Sequence, residues 1–330
     1  VGADGSTLVA NSSASTGVSW AGPTVTAGKN RIINGAFDIW QRGTSFSGVG
    51  GYTADRWKIN DGTPGNVTIS QVTGTTGFQY AYQRSSTGTS SFTQLGQQIE
   101  FANCYDLQNQ TVTISFWAKA NNANSASTAL TVRTRTVAGV DGAALFSGTA
   151  SDTSKTLTTS WAYYTVTKAL PATFGALSLE FAGASGASGD GYSIDGIQLE
   201  LGSVATAFSR AGGTLQGELA ACQRYYYRTS AQTYGRLGFG SASSTTNAQI
   251  LVNLPSTMRT APASVDYSTL LVYDTVTLSS VTNVTLTATG QSTNTAAIDC
   301  TVASGLTQYR PYSLTNNNST SAYIGFSAEL

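Results

Sequence analysis

The sequence predicts an all-β protein: a jelly-roll β-sandwich, then a short helix, then a smaller C-terminal β-sandwich. Three observations predict it. Apolar and polar residues alternate in run after run, the period of half-buried antiparallel strands. Gly, Ser and Asn clusters bound those runs, as turns require. Only one short stretch, 211–230, has helical spacing, and many short strands without intervening helices make a sandwich or jelly roll.

The elements follow in chain order. Residues 1–29 are mostly small and polar, with scattered anchors at Leu8, Val9, Val18 and Trp20. Such a segment buries too little to offset its own ordering entropy, so it reads as a linker or stalk. Residues 30–210 form the jelly-roll domain. "NRIINGAFDIWQRG" at 30–43 opens it, with Ile32, Ile33, Phe37 and Trp40 expected as the first core strand and Asn34-Gly35 as a turn or bulge. "FQYAYQR" places Phe78, Tyr80 and Tyr82 on one face, and Arg84 continues the alternation. "TVTISFWAKA" alternates Val112, Ile114 and Phe116 with Thr and Ser, and "ALSLEFAG" does the same with Leu177, Leu179 and Phe181. "WAYYTVTKAL" and "YSIDGIQLEL" are similar, with a bulge expected at Asp195-Gly196. Trp40, Trp57, Trp117 and Trp161 all lie in strand-like or core-like contexts, and Trp57 and Trp117 are expected in the core or sheet packing.

Residues 211–230 form a helical joint, in which Leu215, Leu219, Cys222 and Tyr226 share one stripe. Leu215, Leu219 and Tyr226 are the candidate interface residues, packing either on a symmetry axis or on their own domain. Tyr225, Tyr226 and Tyr227, between Arg224 and Arg228, suit a domain joint or subunit contact, where Tyr and Arg are enriched. Residues 231–330 form the C-terminal β-sandwich, a tip domain. Ile250, Val252 and Leu254 share a face there, and Thr-rich strands follow.

Composition excludes several function classes. The 330 residues include 17 Lys plus Arg and 17 Asp plus Glu, so the net charge is zero. That leaves no basic footprint for nucleic acid and no basic amphipathic run for membrane insertion. Histidine is absent, which removes His-based triads, His-ligated zinc and imidazole acid–base chemistry. Cys104, Cys222 and Cys300 are far apart, so they read as small core residues rather than a disulfide framework or thiolate metal site. A chain beginning at Val1 with Met258 as its single methionine is expected to be a fragment or processed product.

"IINGAFDIW", "GYTADRW", "QQIEFANCYDLQNQTVTISFWAKA", "SWAYYTVTKALPA", "ALSLEFAG" and "YSIDGIQLELG" occur in that order over residues 30–201. The series resembles the carbohydrate-binding jelly-roll modules of the family 4/9 and galactose-binding-like group. With the flanking "VGADGSTLVANSSASTGVSW", "ELAACQRYYYR" and "LPSTMRTAPASV", nearly the whole chain is similar to distal tail-fibre and receptor-binding proteins of tailed bacteriophages. The resemblance implies a non-enzymatic, homotrimeric fibre tip in the virion, at the tail fibre or tail tip, outside the host cell. Its partners would be a host surface glycan and other tail proteins, reached through a part preceding Val1.

The resemblance also implies candidate sites. In such modules the acid of the opening strand and the Asp of the closing strand hold a structural calcium, and Asp38 and Asp195 match those positions. The family's opening acid is often Glu, and Asp has the shorter reach. No other cofactor is implied. For the sugar itself, an aromatic platform beside polar groups is required. Tyr80, Tyr82 and Arg84 are the candidates, and a buried tyrosine row is the alternative. A glycosidase needs two carboxyl groups roughly 5–9 Å apart, whereas Glu100, Glu180 and Glu200 sit singly in strands. The alternatives in function are a virion structural or decoration protein, a polysaccharide depolymerase, and a carbohydrate-binding module of a secreted enzyme.

Overall fold

The computed structural model describes residues 7–10, 12, 14–21, 28–48, 50–62, 64–89, 93–126, 129–183, 186–229 and 232–330. The chain forms two compact units, Val1–Glu218 and Leu219–Leu330.

In the first unit, β1 (Thr7–Ala10) and β2 (Val18–Ala21) pair as an antiparallel ribbon within the stretch expected as a linker. Residues 1–6, 11, 13 and 22–27 of that stretch lie outside the described residues. The sandwich follows: β3 (Ser45–Ser47), β4 (Gly51–Tyr52), β5 (Lys58–Asp61), β6 (Val67–Thr73), β7 (Tyr80–Ser86), β8 (Thr93–Ile99), β9 (Thr111–Ala120), β10 (Ala129–Val137), β11 (Thr149–Thr156), β12 (Ala162–Ala169), β13 (Ala176–Gly183) and β14 (Gly191–Leu201). These strands make two antiparallel six-stranded sheets. The first has the order β11-β10-β13-β8-β5-β4 and the second β12-β9-β14-β7-β6-β3. A single turn of helix, α1 (Ala123–Ala126), follows β9.

Period-two alternation decides which side chains fill the space between the sheets. Val112, Ile114 and Phe116 of β9 and Leu177, Leu179 and Phe181 of β13 are fully buried. The Phe116 and Phe181 rings meet edge to face across that space, 5.0 Å apart. Each such side chain contributes roughly 1.5–3 kcal/mol by leaving water. The bulge expected in β14 is present: its register on β9 shifts between Asp195 and Gln198.

The opening segment differs from expectation. Residues 31–44 are turns and irregular backbone, not a strand. Asn34 and Phe37 both have positive φ, 57° and 51°, and an extended run does not survive two left-handed residues. Side-chain amides replace the missing ladder. Asn30 Oδ1 accepts from the Ile32 and Leu199 N–H groups. Asn34 donates to Ile39 O and Asp55 O and accepts from the Ile39 N–H. Ile32 and Phe37 still reach the core, fully buried.

The helix α2 is confined to Leu215–Gln223, which spans the division between the units. Tyr226 already belongs to the next strand, so the expected stripe does not continue to it.

In the second unit the sandwich expected from the sequence closes on itself. The strands are β15 (Tyr226–Arg228), β16 (Arg236–Ala242), β17 (Asn247–Asn253), β18 (Ser264–Tyr267), β19 (Leu270–Tyr273), β20 (Leu278–Leu286), β21 (Thr295–Val302), β22 (Pro311–Asn316) and β23 (Ile324–Ser327). Six of them form a barrel, β16-β17-β21-β20-β19-β22, and β15-β23-β18 form a small sheet. Closure removes the open edges that Thr-rich strands would otherwise expose. Ile250, Val252, Ile298 and Leu314 are among the residues that fill this core. The three cysteines are buried and unbridged, and burial pushes the Cys104 and Cys300 thiols up to about 12, which makes them inert.

Candidate functional site

The sequence-nominated sugar platform does not form a surface. In β7 the face carrying Tyr82, Arg84 and Ser86 points between the sheets. Tyr82 is fully buried, its ring 5.3 Å from Phe37 and 5.8 Å from Trp40, with its hydroxyl 3.3 Å from Thr53 Oγ1. Arg84 is 2% exposed. It donates to Ser86 Oγ, Thr93 Oγ1 and the Asp190 carbonyl and lies 3.8 Å from the buried carboxylate of Asp61. Tyr80, at the strand's start, is half-buried and accepts a hydrogen bond from Gln79 Nε2. Alternation reveals that these residues share a face but not which face is wet.

The interface candidates also separate. Leu215 is exposed and Leu219 half-buried. Tyr226 is 2% exposed, and its hydroxyl lies 3.1 and 3.0 Å from the Asp266 carboxylate oxygens within the second unit. It is a core residue there, unavailable to a neighbouring subunit.

Asp38 and Asp195 do not fit a calcium site. Calcium takes six to eight oxygen ligands. The Arg210 guanidinium already meets Asp38 Oδ2, at 2.8 Å through Nε and 2.7 Å through Nη2. Asp195 is fully buried and receives the Gly196 N–H on Oδ1 and the Thr75 N–H on Oδ2, at 2.7 and 3.4 Å. Donors aimed at the carboxylate present the wrong polarity to a cation. Gly74 is required beside it, because a Cβ there would lie 2.7 Å from Asp195 Oδ2 and from the Phe78 carbonyl oxygen. Burial pushes the Asp195 carboxyl up to about 8, and nearby Asp38 adds to the rise. Among the described residues no cluster of three or more His, Cys, Asp or Glu has the placement to hold a metal ion.

The outer face of the second sheet carries a different constellation. On β9, Val112, Ile114, Phe116 and Ala118 point inward, so Trp117 and Lys119 point outward. On the neighbouring β12, Tyr163 lies directly opposite Trp117. Their ring centroids are 5.3 Å apart at an interplanar angle of 51°, and Tyr163 is 46% exposed. Trp161, just before β12, lies beneath Lys119, whose Nζ is 5.3 Å from the ring centre. On the other side of β9, Ser193 of β14 faces Lys119, and Gln83 of β7 faces Ser193. Gln83 Nε2 donates to Ser193 Oγ at 3.2 Å, and Ser193 Oγ lies 3.3 Å from Asn121 Oδ1. The result is a surface of three aromatic rings on β9, β12 and the residue before β12, bordered by an ammonium group and by the Gln83 and Asn121 amides, with the Ser193 hydroxyl buried between them.

The sequence reading assigned Trp117 to the core or sheet packing and left Trp161 in a core-like context; both are half-exposed on this outer face. One signal was present in the sequence. Trp117 is out of phase with Val112, Ile114 and Phe116, and Tyr163 is in phase with Thr165 and Thr167.

The outer face of the first sheet is more nearly filled. Its transverse row runs Asp152, Arg133, Glu180, Gly96, Lys58, Tyr52. Arg133 pairs with Asp152 through two bonds of 2.6 and 2.7 Å. The fully buried Glu180 takes Arg135 Nε at 3.0 Å and the Phe146 N–H at 2.8 Å. The loop bearing Leu145 and Phe146 lies on Gly96, where a Cβ would come 2.6 Å from Leu145 Cδ1. Arg42 and Lys58 both sit over Tyr52, 5.2 and 5.6 Å from its ring centre. A small cleft of about 30 Å³ beside Arg84, Asp190 and Tyr192 is likewise occupied by its own groups, since Asp190 accepts from Asn122, Asn124 and the Ala187 N–H.

No protein-family model matches this sequence, and no curated protein matches it. Partial likenesses exist among solved structures. One is the enzymatically active domain of bacteriophage CBA120 tailspike protein 4 (TM-score 0.37, 15% identity, 55% of this chain and 22% of that one). The present chain therefore spans about a fifth of that tailspike chain. A second is TmCBM61 in complex with β-1,4-galactotriose (TM-score 0.34, 13% identity, 52% of this chain and 99% of that one). A third is the CBM22-1 xylan-binding domain from Paenibacillus barcinonensis Xyn10C (TM-score 0.34, 17% identity, 55% of this chain and 100% of that one). TM-scores of this size carry no argument about ligand or activity, which rest on the geometry above.

Proposed function

We propose that this protein is a non-catalytic glycan-binding protein, and that the outer face around Trp117, Tyr163 and Trp161 is where it binds. The observation that carries this reading is the outward-facing pair of a half-exposed Trp117 and an exposed Tyr163 beside Lys119 and Gln83. Sugar rings present apolar C–H faces to aromatic platforms and hydroxyl edges to amides and charges. A strand-mounted platform is also rigid before the ligand arrives, which limits the ordering cost of binding.

The motif order over residues 30–201 and its flanks supports a setting at the distal tail fibre of a tailed bacteriophage. There the protein would be a homotrimer attaching the virion to host surface glycans. The non-catalytic part of the reading is supported by Asp195, which lies opposite Trp117 in register but is fully buried and out of reach of a glycosidic bond.

Glycan-array binding of the purified chain tests the reading, with Trp117→Ala and Tyr163→Ala beside it. Binding that falls at least tenfold in Trp117→Ala, with an unchanged melting transition, supports it; the ring contact, about 0.5–1.5 kcal/mol, adds to the apolar area a sugar buries on the indole, at roughly 25 cal/mol per Å². Binding that survives both substitutions sinks the site. Release of reducing sugar from a host polysaccharide would replace the non-catalytic reading with a depolymerase.

A further inference from the structure

The charge on the platform narrows the ligand class, on the assumption that the platform binds glycan at all. Lys119 projects from the same face of β9 as Trp117, two residues on, which is about 6.8 Å along a strand. Among the described residues no carboxylate lies within ion-pair distance of its ammonium group. Its neighbours are the Trp161 ring, 5.3 Å away, and Ser193, opposite in register. Lys58 is held over a ring in the same way and Lys168 by Ser151, whereas several other cations of the same unit are neutralised by carboxylates. Lys29 is paired with Glu200, Arg31 with Asp106, Arg133 with Asp152, Arg135 with Glu180 and Arg210 with Asp38. Asp195, opposite Trp117 in register, is fully buried and engaged by two backbone N–H groups, so it does not serve as the counter-ion.

The indole beneath Lys119 holds the ammonium in place without neutralising it, since a cation over a ring keeps its full charge. The platform thus places an unneutralised cation two residues along β9 from the stacking pair, with the Gln83 amide beyond Ser193 in the same row. A neutral sugar would use this group only as a hydrogen-bond donor. A sugar bearing a carboxylate would supply the missing counter-ion. We infer that the Trp117–Tyr163 face takes acidic glycans, polymers containing uronic or other carboxylated sugars, with the ring stacked on Trp117 and Tyr163 and the carboxylate on Lys119.

Titration calorimetry of the full chain tests this with galacturonan, alginate, hyaluronan and polysialic acid, each beside its carboxyl-reduced neutral form. At least one acidic polymer is expected to bind roughly three- to tenfold more tightly than its reduced form, the range for an ion pair between exposed and partly desolvated. That preference is expected to vanish in Lys119→Met and to shrink in about 0.5 M salt, where screening is strong. Trp117→Ala is expected to weaken the acidic and reduced forms alike. Equal affinity for both forms, or a preference that survives Lys119→Met, overturns the acidic class. It leaves a neutral-glycan platform standing if Trp117→Ala still abolishes binding. Absence of binding to every polymer, joined with a silent glycan array, overturns the platform itself and this inference with it.

Discussion

Tyr82 shows what one residue's register decides. Its ring is packed between Phe37 and Trp40, so Tyr82→Ala is expected to cost about 3–5 kcal/mol of unfolding free energy, as large aromatic truncations do. Chemical denaturation measures it, and a loss under 1 kcal/mol, typical of a surface site, would contradict the packing described. Arg84→Met is expected to be comparably destabilising, about 3–5 kcal/mol, because it strands the Asp61 carboxylate in the interior. Asp195 gives a pH signature. Its folded-state carboxyl, at about 8, lies above the ordinary value near 4. The native state therefore holds a proton that the unfolded state releases between those values. That contribution is full below about pH 4 and is lost as pH rises through about 8, with a limiting slope of about 1.4 kcal/mol per pH unit. Urea unfolding of the wild type against Asp195→Asn isolates it: the variant is expected to lose this slope, and parallel profiles would refute the assignment.

At the scale of elements, the strands were legible and their orientation was only half so. The runs at 111–120, 176–183 and 191–201 are strands, with alternating exposure only at the end of β9, whereas β13 and β14 are buried on both faces, and Asp195-Gly196 is a bulge. Periodicity fixes which residues travel together. It does not fix the wet side when both faces carry aromatics, as in β9, or when the inward face ends in polar tips, as in β7. Tyr80, Tyr82 and Arg84 were nominated because polar tips suit a binding face, but a sandwich of this size also buries a polar cluster, and Arg84, Asp61 and Thr93 satisfy one another there. The opening segment was misread as a strand because Ile32, Ile33, Phe37 and Trp40 look like a core run. Two left-handed residues and the Asn30 and Asn34 amides, invisible to a hydrophobicity pattern, make it an irregular plug instead. The calcium expectation failed for a similar reason: the matching acids were present, but Arg210, 172 residues from Asp38 in sequence, reaches back to one of them. Removing divalent cations with a chelator is accordingly expected to leave the melting temperature unchanged; a fall of several degrees would reinstate a metal.

For the whole molecule, the all-β class was readable from pattern. The platform was not, because it is assembled from strands that are neighbours only in the sheet: Trp117 and Tyr163 are paired across β9 and β12, and Gln83 joins them through β14. The proposed homotrimer belongs to this scale as well. Mass determination of the native protein is expected to return three copies, and a stable monomer at micromolar concentration would remove the trimer without touching the platform. The central claim is the glycan platform itself. The measurement that bears on it most directly is equilibrium binding of the wild type and Trp117→Ala to the glycan that gives the strongest array signal, with unfolding followed in parallel. The account predicts at least a tenfold loss of affinity at unchanged stability. Unchanged affinity in a correctly folded Trp117→Ala protein would contradict it.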